Sequence, residues 1–316
     1  MTPEQDTRLT TSTVTPASYD TRIPLLVLIP LVVVVLVFMF WGFSTATRAD
    51  VIQGSFSLSG EVRSVRVEID VGSLTLSAGT AGEVTFSGRS LLATTTRSLL
   101  EKAASVPLTL ELVDDGDAST LVLREIPRPE GFAPPSRLEG GADDETQRGT
   151  PVLVTELHVV VLVPPGMPAQ ITLRKGDIKV DSRRARTDVR TGSGTVYVTS
   201  VEAELEVENR DGEVLIDNHL GPLRLRGNGL VRVSLTEIRG PVDIVSEKGE
   251  VGVYLPSDGP FKLLAHSPAS RVRTEFGLPK ESIGPAGSKV EGEVGIDGPP
   301  IVVEAKAGTV SVWKIK

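Results

Sequence analysis

TDVRTGSGTVYVTSVEAELEVENRDGEVLID, residues 187–217, states one pattern twice: an alternating run, a glycine, and a second alternating run. Between Ala169 and Tyr254 the pattern recurs, with turns at Lys175-Gly176-Asp177, Ser193-Gly194-Thr195, Asp211-Gly212-Glu213, Asn228-Gly229-Leu230 and Lys248-Gly249-Glu250. Successive glycines are 18, 18, 17 and 20 residues apart.

Two and four residues after each glycine stand Ile178 and Val180, Val196 and Val198, Val214 and Ile216, Val231 and Val233, and Val251 and Val253. Every one is β-branched and aliphatic, and a period of two predicts strands with one buried face. The same identity in each unit predicts that Ile178, Val196, Val214, Val231 and Val251 stack as one core column. A second inner column, Ile171, Val189, Val207, Leu225 and Ile244, precedes the glycines.

Each unit of about 18 residues therefore reads as strand, glycine turn, strand and return loop. Alone it buries little, so it must lean on its neighbours. The fold class expected is all-β, a repeat-built β-solenoid or stacked-sheet module, with an antiparallel meander of hairpins as the alternative. A positive φ at a tight turn supplies the reason for the glycines.

The outward positions carry an expectation about register. Arg190, Glu208 and Arg226 are 18 apart, as are Asp188, Glu206 and Arg224. In-register stacking places Glu208 between two arginines and Glu206 beside Arg224. Opposite charges on adjacent strands contribute roughly 0.2–1 kcal/mol each, against about 1.5–3 kcal/mol for a buried Val or Ile. Such a charge ladder selects register; the columns hold the stack.

Flanking segments follow the design less regularly. Residues 62–88 read as a first rung, and VLVTELHVVVLV (152–163) as a strand entering the stack. IVVEAKAGTVSVWKIK repeats the unit with Gly308 as its turn, and 277–298 reads as a bridge. Between 89 and 150 an irregular insertion is expected. Within it 97–104 reads as a short helix, Leu108–Leu112 pairs with Leu121–Leu123, and 127–150 is a Pro-, Gly- and acid-rich loop.

Ahead of the module lies IPLLVLIPLVVVVLVFMFWGF, residues 23–43, 21 residues without a charge. About 20 apolar residues cross the hydrocarbon core as a helix, and Trp41 sits where an aromatic ring favours the headgroup level. A cleaved signal peptide, with Ser44 and Ala46 as small residues, is the alternative; its apolar region is shorter and follows a basic leader. The expected organisation is a polar tail at 1–22, one transmembrane helix at 23–43, a linker at 44–50 and the β module at 51–316. Arg8 and Arg22 on one side against Arg48 and Arg63 on the other leave orientation undecided by charge.

Composition excludes several functions. A net charge of −8 argues against a nucleic-acid face. The absence of cysteine removes disulfides, thiolate zinc sites and Cys nucleophiles. His158, His219 and His266 lie in separate segments without metal-site spacing. Ser193 lacks the G-x-S-x-G frame of a nucleophile elbow. The acids at 114–117 and 143–145 do not match a calcium loop. No catalytic residue, cofactor or metal is expected, although Glu206 and Glu208 are the carboxylates a glycosidase or lyase on such a fold would use.

The opening strands turning at Gly72, the strand into VPPG (163–166), the unit TGSGTVYV (191–198) and the closing AKAGTVSV (305–312) resemble the bacterial "putative-adhesin" β-solenoid family, a family of unknown biochemical activity. The resemblance spans roughly 51–316, apart from 127–150. It implies a surface-exposed, non-catalytic module outside the cytoplasm, held in the membrane through 23–43, with an envelope protein or cell-surface ligand as partner. A weaker resemblance, to sheet modules of bacterial envelope-stress membrane proteins, implies sensing or scaffolding; a carbohydrate-active enzyme is the remaining alternative.

Overall fold

The computed structural model describes residues 46–58, 62–94, 108–114, 119–125 and 154–315. The expected tail at 1–22, the apolar run at 23–43, the short helix at 97–104 and the loop at 127–150 lie outside these residues. Among the described residues no helix is long and apolar enough to cross a membrane.

The described chain is all-β. Its strands are β1 (Ala46–Ser57), β2 (Val62–Ala78), β3 (Glu83–Thr94), β4 (Leu108–Asp114), β5 (Ser119–Glu125), β6 (Val154–Val163) and β7 (Ala169–Asp181). There follow β8 (Thr187–Ser193), β9 (Val196–Thr199), β10 (Leu205–Asn209), β11 (Val214–Asp217), β12 (Leu223–Gly227), β13 (Val231–Ser234), β14 (Val242–Ser246) and β15 (Val251–Pro256). The last are β16 (Phe261–Ser267), β17 (Val272–Thr274), β18 (Lys280–Ile283), β19 (Gly287–Val294), β20 (Pro300–Ala305) and β21 (Val310–Ile315).

These strands hydrogen-bond into one sheet with two parallel ladders. In the first, β7, β8, β10, β12 and β14 lie side by side, with Ile171, Val189, Val207, Leu225 and Ile244 in register. In the second, β7, β9, β11, β13 and β15 do the same, with Ile178, Val196, Val214, Val231 and Val251 in register. The pairings are parallel, so the repeated region is not an antiparallel meander. Strands β2 and β7 are long enough to enter both ladders, which makes the sheet continuous. The inward side chains of both ladders belong to one apolar cluster.

The glycine turns have the expected cause at three positions and a second cause at all six. Gly176, Gly194 and Gly212 do have positive φ, but Gly229, Gly249 and Gly308 do not. What all six share is crowding: a Cβ on each would lie closer than 3.0 Å to the carbonyl oxygen of the preceding glycine in the series, beginning from Gly72. Stacked rungs bring these backbones so near that no side chain fits between them.

Three further differences concern the ends of the stack. The module begins at Ala46, inside the expected linker, because β1 pairs along twelve residues with β3. Part of the expected irregular insertion belongs to the sheet: the expected pairing of 108–112 with 121–123 is present as the antiparallel hairpin of β4 and β5, and the difference is that β5 also runs parallel to β2, burying Leu121 and Leu123. The bridge at 277–298 contains β18 and β19, paired with each other and with β16.

The C-terminal rung does not follow its predecessor at the end of the stack. Strand β20 lies between β14 and β16, and β21 lies between β15 and β17. The chain thus lays down its outermost rung, caps it with β18 and β19, and returns to insert residues 300–315 one rung inward.

Candidate binding faces

Alternation gives each ladder one face toward the core and one toward solvent, and the two outer faces differ in chemistry. On the first ladder the face is charged, and most of its charges bond to one another. Arg190 and Glu208 occupy register positions and approach to 3.9 Å. Glu208 also meets Arg210 at 3.7 Å. Arg226 stands in register with Glu208 but bonds Asp243 at 2.6 Å, one strand further on. That bond raises the Arg226 pKa above its usual value, against a smaller opposing effect of burial.

Glu206 stands in register with Arg224, yet its ion pair is with Arg186, at 3.2 Å. Arg186 also holds Asp188 and Glu204. The side-chain bond to Asp188 is the chief cause of its raised pKa. The ladder therefore zigzags between rungs instead of running straight along register positions. Arg174 with Asp70, and Arg124 with Glu68, continue it toward the N-terminal end. A hollow of about 170 Å³ opens beside Arg66, Gln170, Arg186 and Asp188. Its polar walls are already committed: Arg66 donates to Gln170, Ser64 meets Thr120, and Arg186 meets Asp188.

Glu206 and Glu208, the carboxylates an enzyme would need, are both engaged by arginines on this face. Among the described residues no group of three His, Asp or Glu side chains is placed to hold a metal ion. His158 is exposed and bonds Ser73 through Nδ1. His266 lies in β16 in register with Glu304. His219 is fully buried in a return loop, where its Nε2–H donates to the Pro222 carbonyl at 3.1 Å. Burial lowers its pKa, and backbone hydrogen bonds oppose that only in part.

Two sets of residues that the period-two reading overlooked complete the rung. The first lies three residues before the turn glycine, at an inward position. Asn209 donates to the Gly194 and Glu213 carbonyls, Ser246 to the Gly229 carbonyl, and Thr191 to the Ser193 carbonyl. Buried carbonyls require partners, and these side chains serve the backbone that the glycine column crowds together. The recurrence of a small polar residue at an inward position was the available signal.

The second set is in the return loops. Ser182, Ser200 and Asn218, each 18 residues apart, have φ of 56°, 54° and 53°. Their short polar side chains suit the left-handed region. The next residues, Arg183, Val201 and His219, are all fully buried. Arg183 bonds the carbonyls of Val163, Pro164 and Met167, fastening the VPPG turn to the stack. Burial pulls its pKa down to about 10, so it stays cationic at neutral pH.

The outer face of the second ladder is less charged. Its central row runs Val160, Thr75, Lys179, Tyr197, Leu215, Arg232, Gly252, Ser311 and Arg273 across successive strands. Tyr254 and Trp313 are in register in the row beside it. Lys179 lies over the Tyr197 ring, 5.9 Å from its centroid. Tyr197, Tyr254 and Trp313 are all the tyrosine and tryptophan of the described residues, and every one is on this face.

The fold thus defines an all-β protein of stacked parallel rungs with two chemically distinct outer faces. No protein-family model matches the chain, and a search of curated proteins finds no match. Among solved structures, a "putative cell adhesion protein" from Clostridium sporogenes is similar at 13% identity and TM-score 0.31, covering 84% of this chain and 100% of that one. A "putative adhesin" from Bacteroides fragilis is similar at 12% identity and TM-score 0.22, covering 84% and 97%. Another from Parabacteroides distasonis shows 10% identity and TM-score 0.30, again covering 84% and 97%. At these scores the likeness determines neither the fold nor the function of this chain.

Proposed function

We propose that the chain is a membrane-anchored, non-catalytic β-solenoid that presents a binding face outside the cytoplasm, in cell-surface adhesion or envelope scaffolding. The observation that carries this reading is the division of labour between the outer faces. Charges on the first ladder are largely consumed by one another, as a structural ladder requires. The second face presents Tyr, Trp and Arg side chains, the residue types enriched at contact surfaces, and Arg232 and Arg273 there have no ion-pair partner among the described residues. Anchoring rests on the 21-residue apolar run, which ends at Phe43, with only Ser44 and Thr45 between it and the start of β1 at Ala46.

Fractionation and topology test the reading together. The full chain is expected to stay with membranes through alkaline carbonate. Protease added to intact cells stripped of wall is expected to cut within 127–150. Carbonate extraction would remove the anchor, and protection until lysis would reverse the orientation.

A further inference from the structure

Gly252 stands in the middle of β15, at an outward position, where none of the usual reasons for a strand glycine applies. Its φ is not positive, and the register on both sides is unbroken, so there is no bulge. A Cβ there would meet nothing nearer than the edge of the Tyr254 ring at 3.9 Å, which is ordinary contact. The turn glycines, by contrast, are each pressed against backbone. A glycine inside a strand weakens it and forgoes a packed side chain, and its remaining use is to leave room for something that approaches the sheet closely.

The surroundings indicate what approaches. Arg232 is the register partner of Gly252 on β13, and Ser311 its partner on β21; Arg273 lies beyond Ser311 on β17. Tyr254 and Trp313, adjacent in register, form one side of the shelf. Both arginines are exposed, and neither has an ion-pair partner among the described residues, unlike Arg186, Arg190 and Arg226 on the opposite face. At a strand spacing of roughly 4.8 Å, Arg232 and Arg273 stand about 14 Å apart across the shelf.

We infer that the shelf at Gly252 binds an acidic saccharide, a sugar polymer carrying carboxylate or phosphate groups. The rings of Tyr254 and Trp313 offer apolar surface with a polar edge, suited to the face of a sugar ring. The free guanidinium forks of Arg232 and Arg273 match planar anions bidentately. Ser311 adds a hydroxyl that both donates and accepts. With a net charge of −8, the chain as a whole repels a polyanion at long range, so recognition depends on these contacts and not on bulk attraction. The inference rests on the surface-module reading only for where the ligand is met.

The test is retention of the detergent-solubilised full chain on immobilised polygalacturonate, dextran and poly-glutamate, with thermal melting of every variant in parallel. Polygalacturonate is expected to retain the chain at least tenfold better than neutral dextran or the sugar-free polyanion. Gly252→Val fills the shelf with a residue that favours strands. It is expected to lower retention at least tenfold without lowering the melting temperature, and Arg232→Gln and Arg273→Gln are expected to weaken it likewise.

Equal retention of Gly252→Val and the unaltered chain would overturn the site. Equal retention on poly-glutamate would overturn the saccharide, and equal retention on dextran the acidic group. Loss of binding with protease cutting still seen on intact cells leaves the surface module standing; binding with protection until lysis leaves the site and removes the surface module.

Discussion

Gly194 packs its α-carbon against the carbonyl oxygen of Gly176 so tightly that a Cβ there would fall below any separation real Cβ atoms show. The contact repeats up the stack, from Gly176 over Gly72 to Gly308 over Gly249. One methyl group anywhere in this column forces two rungs apart.

Gly194→Ala is accordingly expected to destabilise the module by more than about 3 kcal/mol, combining backbone strain at φ 124° with overpacking. Gly166→Ala is the control. It has open space and no positive φ, and should stay within about 0.5 kcal/mol of the parent. Denaturant midpoints compare the two, and similar shifts would show that the column is not close-packed.

The two faces of a strand should respond oppositely to a change of charge. Val196 is fully buried, so Val196→Asp places an unpaired carboxylate in the core and is expected to cost on the order of 4 kcal/mol. Glu208 is about half exposed, with its nearest cations at 3.7 and 3.9 Å, so Glu208→Gln should cost less than about 1 kcal/mol. Comparable losses of melting temperature would mean that the faces are assigned wrongly.

Removal of residues 299–316 should act as removal of an inner rung, not as trimming of a loose end. Val310 pairs with Val251 on one side and Val272 on the other, so the deletion leaves β16 and β17 without their parallel neighbours. The truncated chain is expected to lose cooperative melting, and limited proteolysis should cleave it first between 257 and 298. Retention of a single sharp transition near the parent temperature would show that the inserted rung is dispensable.

Stability should fall in mildly acidic solution because of His219. Its pKa is lowered in the folded state from an ordinary value of 6.5. Between that lowered value and 6.5 the unfolded chain binds the proton and the folded chain does not, so stability rises with pH through the window. The contribution is complete above about 6.5 and is lost as pH falls below it. Urea unfolding at pH 7.5, 6.5 and 5.5 should show this decline, and His219→Gln should flatten it. An unchanged slope in the variant would assign the pH dependence to other groups.

How much of this was legible beforehand differs by feature. Identical spacing of Val189 and Val207, and of Val196 and Val214, declared the two columns and their 18-residue offset, because only a buried, stacked face demands the same aliphatic type at every rung. The inward Thr191, Asn209 and Ser246 broke that rule visibly, yet their purpose depends on carbonyls contributed by other rungs. Gly252 was equally visible, but a glycine among outward residues has no meaning until the turn glycines are seen to touch backbone and this one to touch almost nothing.

By itself the sequence determined the strand periodicity, the rung length, the places of the turn glycines and the uncharged run at 23–43, since each is a local pattern imposed by backbone geometry and burial. Only the tertiary structure decided that β20 and β21 enter between earlier rungs, that Arg226 bonds Asp243 instead of Glu208, and that Tyr254, Trp313, Arg232 and Arg273 surround one shelf. Every rung offers the same parallel hydrogen-bonding edge and the same aliphatic face, so local pattern cannot say which rungs are neighbours. That choice belongs to the packing of the whole stack.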